Sequence, residues 1–70
     1  MAVSIYTEIY NSDSRSAVES EIHGNIDSAL AWLKCRISVN PTRIGRFKSN
    51  DLGDADAALF QKLGGVVRVQ

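Results

Sequence analysis

The chain has 70 residues, 44% of them apolar, with eight basic and eight acidic side chains and a formal net charge of zero. That size predicts one compact domain over residues 1–70, and the apolar share excludes a disordered chain. The single cysteine excludes an internal disulfide and a multi-thiolate zinc site, and no apolar run is long enough to span a bilayer, so a reduced, cytoplasmic setting is expected.

The opening "MAVSIYTEIY" has neither a basic start nor a long apolar stretch, so no signal peptide is expected. It alternates instead. Val3, Ile5, Thr7 and Ile9 point one way, and Ser4, Tyr6, Glu8 and Tyr10 the other, which predicts a half-buried strand. "NSDSRS" is a turn cluster. "AVESEIHG" suits two structures. A strand sets Val18, Ser20 and Ile22 against Ala17, Glu19, Glu21 and His23. A helix uses Ser16 and Glu19 as a capping box and Gly24 as terminator. The strand is preferred because it completes a hairpin.

"NIDSALAWLKCRIS" predicts the main helix, with Ile26, Leu30, Leu33 and Ile37 as its apolar stripe and Ala29 at the margin. Asn25 is the expected N-cap, Asp27 suits the first turn, Lys34 and Arg36 suit the last, and Pro41 ends the segment. "TRIGRFKS" predicts a short strand in which Gly45 allows a bulge or a close approach. Its rival is a helix capped by Asn40 with Pro41 at its first position. "DADAALFQKLGG" predicts a second helix, with Asp54 as N-cap, a stripe of Leu52, Ala55, Leu59 and Leu63 with Phe60 beside it, and Gly64 as the stop. "VVRVQ" closes the chain as a strand. The expected architecture is an α+β layer sandwich in the order β-β-α-β-α-β, with two helices on one face of a mainly antiparallel sheet. The alternative is a helix-turn-helix core with flanking strands.

Few residues carry recognisable chemistry. His23 and Cys35 are the only residues of their types, and nothing in the spacing brings either to the other or to Asp27, so no catalytic set is expected. "NDLGDAD" lacks the alternate ligands and distal Glu of a calcium loop, and reads as a loop entering a helix. The glycines at 64 and 65 close a helix where a phosphate loop would open one. No enzyme, cofactor or metal is expected.

Surface features say more. Trp32 lies off the first helix's stripe, on a small-residue outer face with Ser28, Ala31 and Cys35, and Ala57, Ala58 and Gln61 form a similar face on the second helix. Trp and Tyr are enriched where proteins meet, so Trp32 is a candidate contact, and the helix faces suit a homodimer. Tyr6 and Tyr10 share the first strand's outer side, where they could stack bases, but Glu8, Glu19 and Glu21 are expected on or near that side and would repel phosphate.

Charge is unevenly placed. Residues 34–48, "KCRISVNPTRIGRFK", carry five bases (Lys34, Arg36, Arg43, Arg46 and Lys48) and no acid. Lys34 and Arg36 have a helix-end explanation, leaving Arg43, Arg46 and Lys48 to face an acidic protein surface, a nucleic acid or solvent. The leading expectation is a small non-catalytic binding protein that contacts a larger protein with an acidic surface through Trp32, Arg36, Arg43, Arg46, Lys48, Tyr6 and Tyr10. In its size, charge balance and lack of catalytic motif, the chain resembles the small inhibitors that phages and mobile elements encode, anti-CRISPR proteins among them. That resemblance implies steric occlusion of a host complex. The alternative is a nucleic-acid-binding regulator that uses residues 43–48.

Overall fold

The computed structural model describes residues 3–39 and 42–69. The elements follow the predicted order: β1 (Ile5–Asn11), β2 (Ser16–His23), α1 (Ile26–Ile37), β3 (Arg43–Lys48), α2 (Asp54–Gln61) and β4 (Val66–Arg68). They form a small α+β domain. Its four-stranded sheet has the spatial order β2-β1-β3-β4, antiparallel at β1–β2 and β1–β3 and parallel at β3–β4. Both ambiguous segments are strands, and the helix-turn-helix alternative is set aside. The roles expected of Asn40 and Pro41 lie outside the described residues.

Alternation along β1 buries Ile5, Thr7 and Ile9 completely on the helix side. Thr7 offsets the cost of burying a hydroxyl by donating it to the Glu21 carbonyl (2.8 Å). The β1–β2 connection is held by Asn11, whose side-chain oxygen accepts from the amides of Asp13 (2.9 Å) and Ser14 (3.4 Å). Arg15 adopts φ 56° there, a left-handed conformation for the turn. The register shifts between Ile9 and Tyr10, so Val18 is an extra residue on β2 and forms a bulge.

α1 begins as expected: the Asn25 side chain accepts from the Ser28 amide at 2.8 Å. Its buried face is turned from the predicted stripe. Ala29, Trp32 and Leu33 are buried, while Ile26, Leu30 and Ile37 pack around them at the margin. The small Ala29 lets the helix sit close to the sheet. The outer-face position expected of Trp32 is therefore corrected: its ring is 9% exposed and reaches over β2, with the His23 ring 5.7 Å away.

α2 needs two corrections. Its N-cap is Gly53, without a side-chain cap, and Asp54 sits in the first turn with Asp56, where both charges complement the dipole. The buried residues are Ala57 and Phe60, with Leu63 partly buried, while Ala55 is exposed and Leu59 is 42% exposed. Leu59 and Phe60 differ by about 100° around a helix, so only one can face the core squarely. Phe60 does, because its ring stacks on Phe47 at 4.5 Å and buries more apolar surface. Gly64 and Gly65 then turn the chain at φ 68° and 72°, values that favour glycine, and the Gly65 carbonyl accepts from Gly45 N–H (2.7 Å).

Asp51, in the acidic loop, anchors the start of the chain. Its carboxylate accepts from the Ser4 amide (3.0 Å), and the Ser49 hydroxyl donates to the Ser4 carbonyl (2.6 Å). No helix among the described residues is long and apolar enough to cross a membrane.

Candidate functional site

Both helices pack on the side of the sheet that carries Ile5, Ile9 and Phe47, so the opposite side is open. The strand registers determine its membership. Tyr6, Glu8 and Tyr10 of β1 stand opposite Lys48, Arg46 and Ile44 of β3. On the β2 side Tyr6 and Glu8 meet Ile22 and Ser20, and on the β4 side Arg46 meets Val67. Paired residues share a face, so these side chains form one surface.

Its centre is a polar cluster around Glu8. Arg46 lies 3.0 Å from one Glu8 oxygen, and the Tyr6 hydroxyl donates to the other at 2.9 Å. The Arg46 guanidinium also covers the Tyr10 ring, 5.2 Å from its centroid. The hydrogen bond to Glu8 raises the Tyr6 phenol above its ordinary value, reinforced by partial desolvation and the Glu8 charge, against smaller opposing effects of Ser20 and Arg46. Glu8 is only 14% exposed, so this cluster is a fixed feature. Apolar side chains flank it: Ile22 is 69% exposed, Val67 47% and Tyr6 38%.

Strand alternation divides the basic segment. Arg46 and Lys48 are on the open face. Arg43, an odd number of residues from Arg46, is on the helix side, beside a hollow shared with Lys34, Ile37, Ser38 and the Leu63–Gly65 turn. Arg36 approaches Glu19 of β2 at 3.5 Å and lies over Trp32, 4.7 Å from the ring centroid. The single contact surface expected from Trp32 and residues 43–48 is thus not formed. Tyr6, Tyr10, Arg46 and Lys48 come together, while Trp32, Arg36 and Arg43 lie elsewhere.

The expected acidic character of the tyrosine side is also corrected. Glu19 and Glu21 pair with Ile9 and Thr7, which places them on the helix side, and only Glu8 stays with the tyrosines. His23 is 9% exposed and stands 3.8 Å from Glu21. Among the described residues no hydrogen bond or ion pair joins it to the exposed Cys35 or to Asp27, and no group of three metal-binding side chains occurs. The residues missed in sequence are Ile22, Ile44 and Val67. The alternation of β2 had already separated Ile22 from the acids, but the register was needed to set it beside Tyr6.

In comparisons with known proteins, no family model, no curated protein and no solved structure matches this chain.

Proposed function

We propose that this chain is a small, non-catalytic binding protein that docks the open face of its sheet on a larger protein. The observation that supports it is the uncovered face itself, with Ile22 and Val67 exposed on either side of a fixed Tyr6–Glu8–Arg46–Tyr10 centre. Tyrosines and an arginine next to exposed apolar side chains are residue types enriched in contact surfaces. Because Glu8 already matches Arg46, the acid expected on the partner falls to Lys48. Such a protein would act by occupying a surface, in the manner of the small inhibitors that phages encode, and it would need no cofactor.

The test is capture from the native host's lysate, followed by titration of the purified partner. Ile22→Asp and Val67→Asp are expected to weaken binding by about tenfold or more each. Leu59→Asp, on the exposed side of α2, is expected to leave it unchanged. Full binding by both face variants would refute this reading.

One observation favours a second reading, a nucleic-acid regulator. With Glu19 and Glu21 turned away, the face carries two tyrosines, Arg46, Lys48 and one neutralised acid. Against it, Arg46 occupies a face of Tyr10 where a base would stack. Saturable binding of a labelled RNA oligonucleotide that falls steeply with salt and is weakened by Lys48→Gln would transfer the assignment to this reading.

A further inference from the structure

The two edges of the sheet are unequal. β4 closes one edge with three residues, whereas β2 leaves eight on the other, and no described element pairs with its outer side. Residues 16–22 are all exposed. The Glu21 carbonyl is turned toward β1, where the Thr7 hydroxyl reaches it. Main-chain groups alternate in direction along a strand, so those of Ser20 and Ile22 turn outward. An outward row of N–H and C=O groups is a template for another strand.

The side chains along this edge are sorted by chemistry. Glu19 and Glu21 lie on the helix side, and Ser20 and the 69% exposed Ile22 on the open side, with Val18 (45% exposed) at the bulge. We infer that the β2 edge accepts an extended segment of a partner protein whose residues alternate basic and apolar, added as a fifth strand. Its basic residues meet Glu21 and, beside the Arg36 contact, the still partly exposed Glu19, and its apolar residues continue the open face beside Ile22. Main-chain bonds supply affinity and the alternating side chains supply selectivity. A second copy of this chain fits poorly. Antiparallel pairing centred on Ser20 sets Glu19 of each copy opposite Glu21 of the other, and like charges facing each other across strands repel. The inference rests on the protein-binding reading above and adds to it the kind of segment recognised.

The experiment titrates the whole chain with a capped eight-residue peptide of alternating lysine and valine, followed by amide hydrogen exchange and NMR shifts. Saturable slowing of exchange at Ser20 and Ile22 is expected. The double variant Glu19→Gln, Glu21→Gln should weaken the peptide about tenfold, from two rim charges together. A peptide with glutamate for lysine should not bind, and one N-methylated at alternate residues should lose binding, a control that leaves the protein unaltered. Four outcomes would overturn the inference. One is no saturable slowing, and another is equal binding of the glutamate peptide. The third is protection of the same amides without peptide in a concentration-dependent dimer, which would assign the edge to a second copy. Shifts confined to Tyr6, Tyr10, Lys48 and Val67 would also sink it while leaving the open-face reading standing. That reading fails separately, if Val67→Asp and Ile22→Asp keep full affinity for the host partner.

Discussion

Replacing Gly45 with alanine adds one methyl group where α1 side chains crowd β3. A Cβ there would stand 3.1 Å from Leu33 Cδ2, 3.2 Å from Ile37 Cγ2 and 3.2 Å from Val66 Cγ2. All three distances are below ordinary carbon contact, and the three neighbours are separate side chains on two elements, α1 and β4, so no single side-chain rotation relieves them. Leu33 is fully buried and Val66 only 6% exposed, which leaves little room to yield. Overpacking of this kind costs about 1–3 kcal/mol. Alanine also restricts the unfolded chain and so returns about 0.4–1 kcal/mol, because Gly45 needs no left-handed conformation. The net expectation is a loss of about 1 kcal/mol, which in a domain of this size lowers Tm by about 4–8 °C. Thermal and urea unfolding followed by circular dichroism would measure it, with Gly24→Ala as the control, since a Cβ there meets nothing within 4 Å. The control should melt at or slightly above the parent, from the same unfolded-state effect, and a Gly45→Ala protein that melts as high as the control would refute the close seating of α1 on β3.

Three further outcomes are expected. Phe60→Ala removes a fully buried ring stacked on Phe47 and should cost about 3–5 kcal/mol, whereas Leu59→Ala should stay within about 0.5 kcal/mol; the reverse order in denaturant titrations would mean that α2 is rotated to its sequence-predicted stripe. Asn25→Ala should lose about 1 kcal/mol with its cap bond to Ser28, and Asp54→Ala should lose only smaller, salt-screened contributions from the helix dipole and from Arg68 at 4.0 Å, so equal losses at high salt would contradict the assignment of Gly53 as the second N-cap. The Tyr6 phenol, raised by its bond to Glu8, favours the protonated folded form, so its contribution to stability is complete below the unfolded value of 10.0 and is lost as pH rises through the higher folded value. Ultraviolet titration should show Glu8→Gln bringing that phenol back toward its ordinary value, and an unmoved titration curve would count against the Tyr6–Glu8 bond.

Elements whose residues agree on one structure were legible before folding. β1 reads as a strand because Ile5, Thr7 and Ile9 alternate with Tyr6, Glu8 and Tyr10, β-forming residues throughout except Glu8, and Asn25 reads as a cap because its side chain answers a local need three residues on. α2 was misread for the opposite reason. Leu59 and Phe60 are adjacent, both are apolar, and helical spacing supports a stripe through either. Only the Phe47 ring of β3, unrelated in sequence position, selects Phe60. Trp32 was misplaced in the same way. Arg36 is a local neighbour four residues on along the same helix, but His23 lies on β2, and the ring turns inward because β2 runs beneath it.

The candidate surface divides along the same line. Sequence alone favoured an α+β domain in the order β-β-α-β-α-β while leaving two of its strands open to a helical reading, and it determined that Tyr6, Glu8 and Tyr10 share one side of a strand and that five cations lie within residues 34–48. These follow from periodicity and local composition, which the backbone converts directly into faces. Tertiary structure alone decided which faces meet. The β1–β3 register matched Glu8 to Arg46, and the β1–β2 register carried Glu19 and Glu21 to the helix side and Ile22 beside Tyr6. Register is a property of two strands at once, and shifting it by one residue exchanges every face. Alternation within β3 alone parts Arg43 from Arg46 and Lys48, but no reading of one strand at a time could have shown that Ile22 and Val67 flank the tyrosines as one surface.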